Sequence, residues 1–271
     1  MSFKKKNDKY IDLNLTGRLF PSWVLANFKA YKLPEIMQTD DDPCFRTVKD
    51  ELKKYQVFLS KFMNFNTPYH DILIYHGVGS GKTATTINIY NMLYNYTPGW
   101  NVYILLKSTL KDFPWMSELN KWLEENEKKF RFENIKFISY DAPNADKAFM
   151  EEIKKSDSSK KSLYIIEEAH LFIRNVYSNI KDKKGKRAIT IYDYILQDKK
   201  ENDSTRVIML SGTPAVNYPY ELALTFNLLR PNLFSKSESQ FTQEYISNGT
   251  YKTLDPEHKN IFQRRIMGLV S

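Results

Sequence analysis

Two glycines one residue apart, Gly79 and Gly81, followed at once by Lys82 and Thr83, constrain this chain more than any other feature. An apolar run, Ile72–Tyr75, precedes them and reads as a strand, and from Thr83 the pattern becomes helical. A glycine turn between a strand and a helix points backbone N–H groups inward, and the helix adds its positive dipole end. Such a turn cradles phosphate oxygens. Gly77, Val78, Gly79, Ser80 and Gly81 line it, Lys82 can reach the β- and γ-phosphates, and the Thr83 hydroxyl can ligate magnesium, so ATP and Mg are the expected ligands. The strict phosphate-loop pattern has glycine at its first position, where this chain has His76. A chance Gly-Ser-Gly-Lys-Thr on a surface loop would lack both the strand before it and the helix after it.

From about residue 46 the chain alternates short apolar runs with amphipathic stretches, the signature of an α/β fold with a mostly parallel sheet flanked by helices. Strands are expected at Ile72–Tyr75, Asn101–Leu106, Ile135–Ser139, Leu163–Ile166 and Val207–Leu210, with helices near Lys82–Tyr94, Trp115–Glu124 and Ala145–Lys154. Residues 46–235 carry this alternation. Residues 1–45 read as an N-terminal extension whose apolar cluster, Leu19–Val24 with Phe28 and Tyr31, should pack on the main domain. Residues 236–271 read as a helical tail or linker. The runs Lys154–Lys161 and Lys181–Arg187 are expected as exposed basic loops.

Composition narrows the class. Hydrophobic residues make up 42% and aromatics 14%, a globular balance. No apolar run follows the charged opening and none approaches the ~20 residues of a membrane span, so neither a signal peptide nor a membrane partner is expected. The single cysteine, Cys44, forbids an intramolecular disulfide and suits a reducing, intracellular compartment. His70, His76, His170 and His258 lack metal-ligand spacing, so no structural zinc is expected. The formal charge of +8 favours polyanion partners without selecting one.

Two further strings end apolar strands. Leu163-Tyr-Ile-Ile-Glu-Glu-Ala-His170 puts two carboxylates at the sheet's carboxyl edge, one suited to the magnesium shell and one to orienting and deprotonating an attacking water. Met209-Leu-Ser-Gly-Thr-Pro214 puts small hydroxyl residues where they can bond to the acidic motif and sense the nucleotide. A P-loop kinase would leave both strings unexplained.

In that order, the glycine loop, Glu-Glu-Ala-His and Ser-Gly-Thr-Pro resemble motifs I, II and III of superfamily 2 helicases and translocases, which have a RecA-like P-loop NTPase domain. Lys54-Tyr-Gln56 lies where that superfamily places an adenine-reading glutamine. Leu105-Leu-Lys-Ser-Thr-Leu-Lys-Asp-Phe-Pro-Trp115 resembles motif Ia of Swi/Snf-type translocases, which touches the nucleic-acid backbone. Gly17–Trp23, Phe172–Ser178, Leu210–Asn217 with Glu221-Leu-Ala, and Arg264–Ser271 are similar to helicases of large eukaryotic DNA viruses, of the poxvirus early transcription factor small subunit and nucleoside triphosphate phosphohydrolase type.

The resemblance implies the first motor domain of a nucleic-acid-dependent ATPase. In that reading Lys82 and Glu168 are catalytic, Thr83 and Glu167 hold magnesium, and Gln56 reads adenine. His170, Ser211 and Thr213 couple hydrolysis to movement, while Lys107, Ser108 and Thr109 contact nucleic acid, with DNA favoured over RNA. It further implies RNA polymerase or a transcription factor subunit as partner, and the host cytoplasm, virus factory or virion as location. The family usually has aspartate where this chain has Glu167, and its motors use a second RecA-like domain with an arginine finger, so weak hydrolysis is expected of this domain alone. Gln263-Arg-Arg265 reads as a linker helix rather than a finger. The alternative is a nucleotide-dependent interaction module docking on transcription machinery.

Overall fold

Apolar runs without polar alternation, such as Val102–Leu106 and Val207–Leu210, suit strands covered on both faces, and a computed structural model places them so. It describes residues 19–32, 51–183, 185–213, 217–247 and 253–271. Most of the N-terminal extension, with Cys44, and also Lys184 and Pro214 lie outside the described residues.

Five strands, β1 (Ile72–Tyr75), β2 (Trp100–Leu106), β3 (Ile135–Ser139), β4 (Lys161–Ile166) and β5 (Arg206–Ser211), form an all-parallel sheet in the order β1-β5-β4-β2-β3. The ladder pairs Ile74 with Leu210, Ile165 with Ile208, Ile104 with Ile165 and Ile104 with Phe137. The period of two then sorts side chains onto two cores. On one face Leu73, Tyr103, Leu105, Tyr164, Ile166 and Met209 pack under helices 145–155, 169–182, 187–201 and 220–229. On the other, Ile74, Ile104, Leu106, Ile165 and Leu210 pack under helices 54–62 and 82–96 and under Trp115 and Leu119.

The Leu19–Phe28 helix lies against that second layer, with Trp23 and Phe20 on Tyr69 at 5.1 and 5.6 Å and Phe28 edge-on to Phe58 at 5.2 Å. At the other end of the chain, Phe241, Tyr245, Phe262 and Leu269 are buried in the first core. Leu269–Ser271 then runs parallel to the free edge of β1: Leu73 N donates to Leu269 O at 2.8 Å and Tyr75 N to Ser271 O at 2.9 Å. Gln263, Arg264 and Arg265 lie in the Lys259–Arg265 helix, where Arg265 donates to Leu233 O at 3.2 Å.

The helix expected over Trp115–Glu124 is shorter, Ser117–Trp122, and follows an irregular turn at Lys111–Met116. Pro114 explains the delay, because it pushes the residue before it out of helical space, and Phe113 is extended at φ −138°, ψ 124°. Among the described residues no helix is long and apolar enough to cross a membrane.

The strand order decides where chemistry can occur. It sets the carboxyl ends of β1, β5 and β4 side by side, and loops leaving neighbouring parallel strands there form the usual crevice for a ligand.

Candidate nucleotide site

The loop after β1 owes its path to Gly79 and Gly81, at φ +76° and +77°, a conformation side chains resist. Gly81 begins the Lys82–Tyr96 helix, so the free N–H groups of the first turn face the loop. No heavy atom lies within 4 Å of where a Cβ would stand on Gly77 or Gly79, and Val78 is 94% exposed. Lys82 Nζ folds back on the loop, donating to His76 O at 3.1 Å and Gly77 O at 3.2 Å.

The Lys54–Phe62 helix braces this loop from below. Tyr55 Oη donates to Ser80 O, and Gln56 Nε2 donates to Gly81 O at 3.1 Å. Gln56 Oε1 accepts from Lys53 N at 2.7 Å, so both ends of this buried amide are engaged internally. In this conformation Gln56 is a strut between the helix start and the glycine turn, and reading adenine would require it to release one of these bonds. His76 stands edge-on to Tyr55 at 5.5 Å, and its Nε2 lies 3.0 Å from Ser271 Oγ. Burial, and then the Lys82 charge, hold the His76 imidazole below its ordinary pKa.

The two acids after β4 occupy different surroundings. Glu167 is 7% exposed, and its Oε2 accepts from Trp115 Nε1 at 3.1 Å. Burial lifts its pKa to about 7; the Trp115 bond opposes this, Glu168 adds to it, and Lys82 opposes it. Glu168 adopts a left-handed conformation, φ 47°, ψ 50°, at the start of the Ala169–Asp182 helix. Its Oε2 lies 3.3 Å from His170 Nδ1.

The Glu167 shift carries a stability consequence. A carboxyl whose folded pKa stands above its unfolded value of 4.5 binds its proton more tightly in the fold. The stability it contributes is complete below that value and is lost as pH rises through about 7. Across the window the loss approaches about 3 kcal/mol. Glu167→Gln, which keeps an acceptor for Trp115, is therefore expected to raise the melting temperature of the nucleotide-free chain at pH 8 and to leave it unchanged at pH 4. A difference independent of pH in thermal melts would refute this.

The loop after β5 completes the crevice. A Cβ on Gly212 would stand 3.5 Å from Val78 Cγ2 and 3.7 Å from Lys82 Nζ. Ser211 Oγ is 3.0 Å from His170 Nδ1 and accepts from Thr213 N at 3.2 Å. His170 thus bridges the loops after β4 and β5. Burial, foremost, holds its imidazole below the ordinary value; Glu168 raises it, and Arg174 and Lys107 add to the lowering.

Lys107 follows β2 and leads into the turn Ser108–Leu110, on the same sheet edge, and Ser108 and Thr109 are exposed there. Thr83 lies in the first turn of the Lys82–Tyr96 helix, half-buried. The structure therefore brings the loop residues, Lys82, Glu167, Glu168, His170, Ser211 and Thr213 to one edge, with Lys107, Ser108 and Thr109 beside them. Two contributors were absent from the sequence reading, Tyr55 on Ser80 and Trp115 on Glu167. Trp115 stood at the end of the motif Ia string, but nothing in that string announced a bond to an acid.

Among the described residues no group of three or more His, Cys, Asp or Glu side chains could cage a metal alone. The donors here are a buried carboxylate held at one oxygen, a helix-start hydroxyl and an open loop of N–H groups. They fit magnesium held by one or two protein oxygens plus phosphate and water, the usual mode for that ion.

Comparisons with known proteins agree with this fold. The chain is 53% identical over 276 aligned residues to a candidate ATP-dependent RNA helicase of Acanthamoeba polyphaga mimivirus, covering 98% of this chain and 34% of the relative. It is 30% identical over 203 residues to nucleoside triphosphatase I of Choristoneura biennis entomopoxvirus, covering 73% of this chain and 29% of the relative. The chain thus spans about a third of the length of these relatives. Among solved structures, the Sulfolobus solfataricus SWI2/SNF2 ATPase core in complex with dsDNA shares its fold, with a TM-score of 0.57 and 23% identity over 83% of this chain and 44% of that one. The core domain solved separately gives a TM-score of 0.52 and 19% identity over 86% and 46%. The SNF2-related domain matches residues 55–267, most of the length, and the chain belongs to that family.

Proposed function

We propose that this chain is the first, ATP-binding motor domain of a nucleic-acid-dependent ATPase of the helicase and translocase type, working in viral transcription. The observation that carries the reading is the convergence of three loops on one edge, with Gly212 against Lys82 and His170 tied to both Glu168 and Ser211. In this reading the loop from Gly77 to Gly81 binds phosphate through its N–H groups, and Lys82 leaves its resting carbonyls for the β- and γ-oxygens. Thr83 and Glu167 hold magnesium, which neutralises phosphate charge when bound. Glu168 orients the attacking water and takes its proton, and His170, Ser211 and Thr213 report the nucleotide state between loops. Lys107, Ser108 and Thr109 grip the nucleic-acid backbone without reading sequence.

The domain organisation follows the same reading: an N-terminal extension through residue 45, the motor domain through 235, and a helical tail leading toward a second motor unit. An arginine finger is worth ~10³–10⁵ in rate in phosphoryl transfer, so the 271-residue chain alone hydrolyses ATP slowly. The test is equilibrium binding of fluorescent ATP with magnesium, followed by hydrolysis with and without double-stranded DNA, the ligand named for the archaeal neighbour. Tight magnesium-dependent binding with slow, DNA-responsive turnover is expected. No nucleotide binding would end the reading.

One observation favours a second reading. Burial raises the Glu167 carboxyl to about 7 in the cation-free chain, which disfavours the charged form that would hold magnesium. A nucleotide-dependent docking module, binding RNA polymerase or a transcription factor subunit, needs no more than that. Nucleotide binding with hydrolysis indifferent to DNA, measured with the second motor unit supplied, would favour it.

A further inference from the structure

Trp115 is fully buried in the core cluster that also holds Leu106 and Leu210, and its indole has one polar atom. That atom, Nε1, donates to Glu167 Oε2 at 3.1 Å, across 52 positions of sequence. Such a bond is not automatic in this core: the indole Nε1 of Trp100, equally buried, has no partner. The backbone on the Glu167 side is also fixed, since Glu167 N donates to Leu105 O at 2.8 Å and keeps the end of β4 on β2. What remains free is the side chain, which at Glu167 has one more rotatable bond than an aspartate would have. The indole removes that freedom by holding one carboxylate oxygen.

The same segment reaches the other half of the site. Trp115 lies one residue from the end of the Lys107–Met116 run, and the charge of Lys107 at its start is felt at His170. A shift of the Lys107–Met116 run therefore moves the group that aims Glu167.

We propose that Trp115 is a positioning residue for the magnesium shell: its indole N–H sets the Glu167 side chain and ties cation binding to the conformation of the Lys107–Met116 segment. This rests on the nucleotide-site reading above. Groups that orient a metal ligand in this way are typically worth about 10–100-fold in metal affinity.

The experiment uses the full 271-residue chain with a fluorescent ADP analogue, titrated in EDTA and in magnesium. The readout is the ratio of the two dissociation constants. Trp115→Phe keeps the ring and removes the donor, and is expected to lower that ratio by about 10-fold. A packing defect would weaken both constants alike and leave the ratio intact, which would overturn the proposal. The double variant with Glu167→Gln should lose little beyond Glu167→Gln alone, because Trp115 acts on the cation only through the Glu167 carboxylate; additive losses would also overturn it. A parent chain with no magnesium dependence would instead refute the nucleotide site itself.

If Trp115→Phe does not fold, the indole N–H resonances of the parent decide. The chain has four tryptophans, and the resonance displaced by Glu167→Gln is that of Trp115. It should move when magnesium is added to the nucleotide-bound chain, and its failure to move refutes the coupling.

Discussion

Glu168→Gln is expected to lower ATP turnover by about 10²–10⁴-fold, the range a positioned general base contributes, while nucleotide affinity changes far less. Glutamine keeps the volume and an acceptor oxygen but cannot take a proton. Glu168 sits where such a role is feasible: about a third of its side chain is exposed, and His170 stands 3.3 Å from its Oε2. Its left-handed backbone, φ 47°, turns the chain sharply from β4 into the Ala169–Asp182 helix. Non-glycine residues held in such conformations cost of order 1–3 kcal/mol each and cluster at functional sites. Glu167, by contrast, is buried with an oxygen committed to Trp115, a poor position for meeting water. Single-turnover hydrolysis with saturating double-stranded DNA separates the variants. Turnover within a few-fold of the parent would remove Glu168 from the chemistry.

The second large effect concerns the opposite edge of the sheet. Asp71 Oδ1 receives Lys199 Nζ at 2.5 Å and Val207 N at 2.7 Å, just before β1 and at the start of β5. The Lys199 side chain is 5% exposed; burial lowers its pKa, and the Asp71 carboxylate opposes that lowering. Asp71→Ala leaves a buried cation and an unpaired N–H, and is expected to destabilise the fold by about 3–5 kcal/mol. The deficit should grow as pH falls through the ordinary lysine range toward neutral, where the unfolded chain charges the lysine freely and the fold must bury its proton without a partner. Replacing both partners with apolar groups, Asp71→Ala with Lys199→Met, should recover most of the loss. Urea denaturation of both variants decides; a double variant as unstable as the single would show that the pair is not the cause.

The two sites also show what can be read without coordinates. All five strands appear where the apolar runs place them, within two residues at each end, because a strand covered on both faces needs a nearly unbroken apolar string. The glycine turn was legible for a different reason: φ near +77° at Gly79 and Gly81 leaves almost no other residue acceptable. The helices at Ala169–Asp182, Arg187–Glu201 and Tyr220–Leu229 were not among the expected elements. Arg187–Glu201 follows a basic run, and Tyr220–Leu229 is apolar on nearly every side, so neither shows a clean stripe until neighbours bury it.

By itself, then, the amino-acid order determined a parallel α/β sheet, a glycine turn at the end of its first strand, and acids and hydroxyls at the ends of two later ones. Those properties are local, set by backbone sterics and by the periodicity of burial. Only the tertiary structure decided the partners: that the Gln56 amide N–H reaches Gly81, that Ser271 reaches His76, and that an indole holds Glu167. Hydrogen bonds between residues tens to hundreds of positions apart depend on which strand lies beside which. Strand order is settled by packing the whole core at once, and no stretch of sequence encodes it alone.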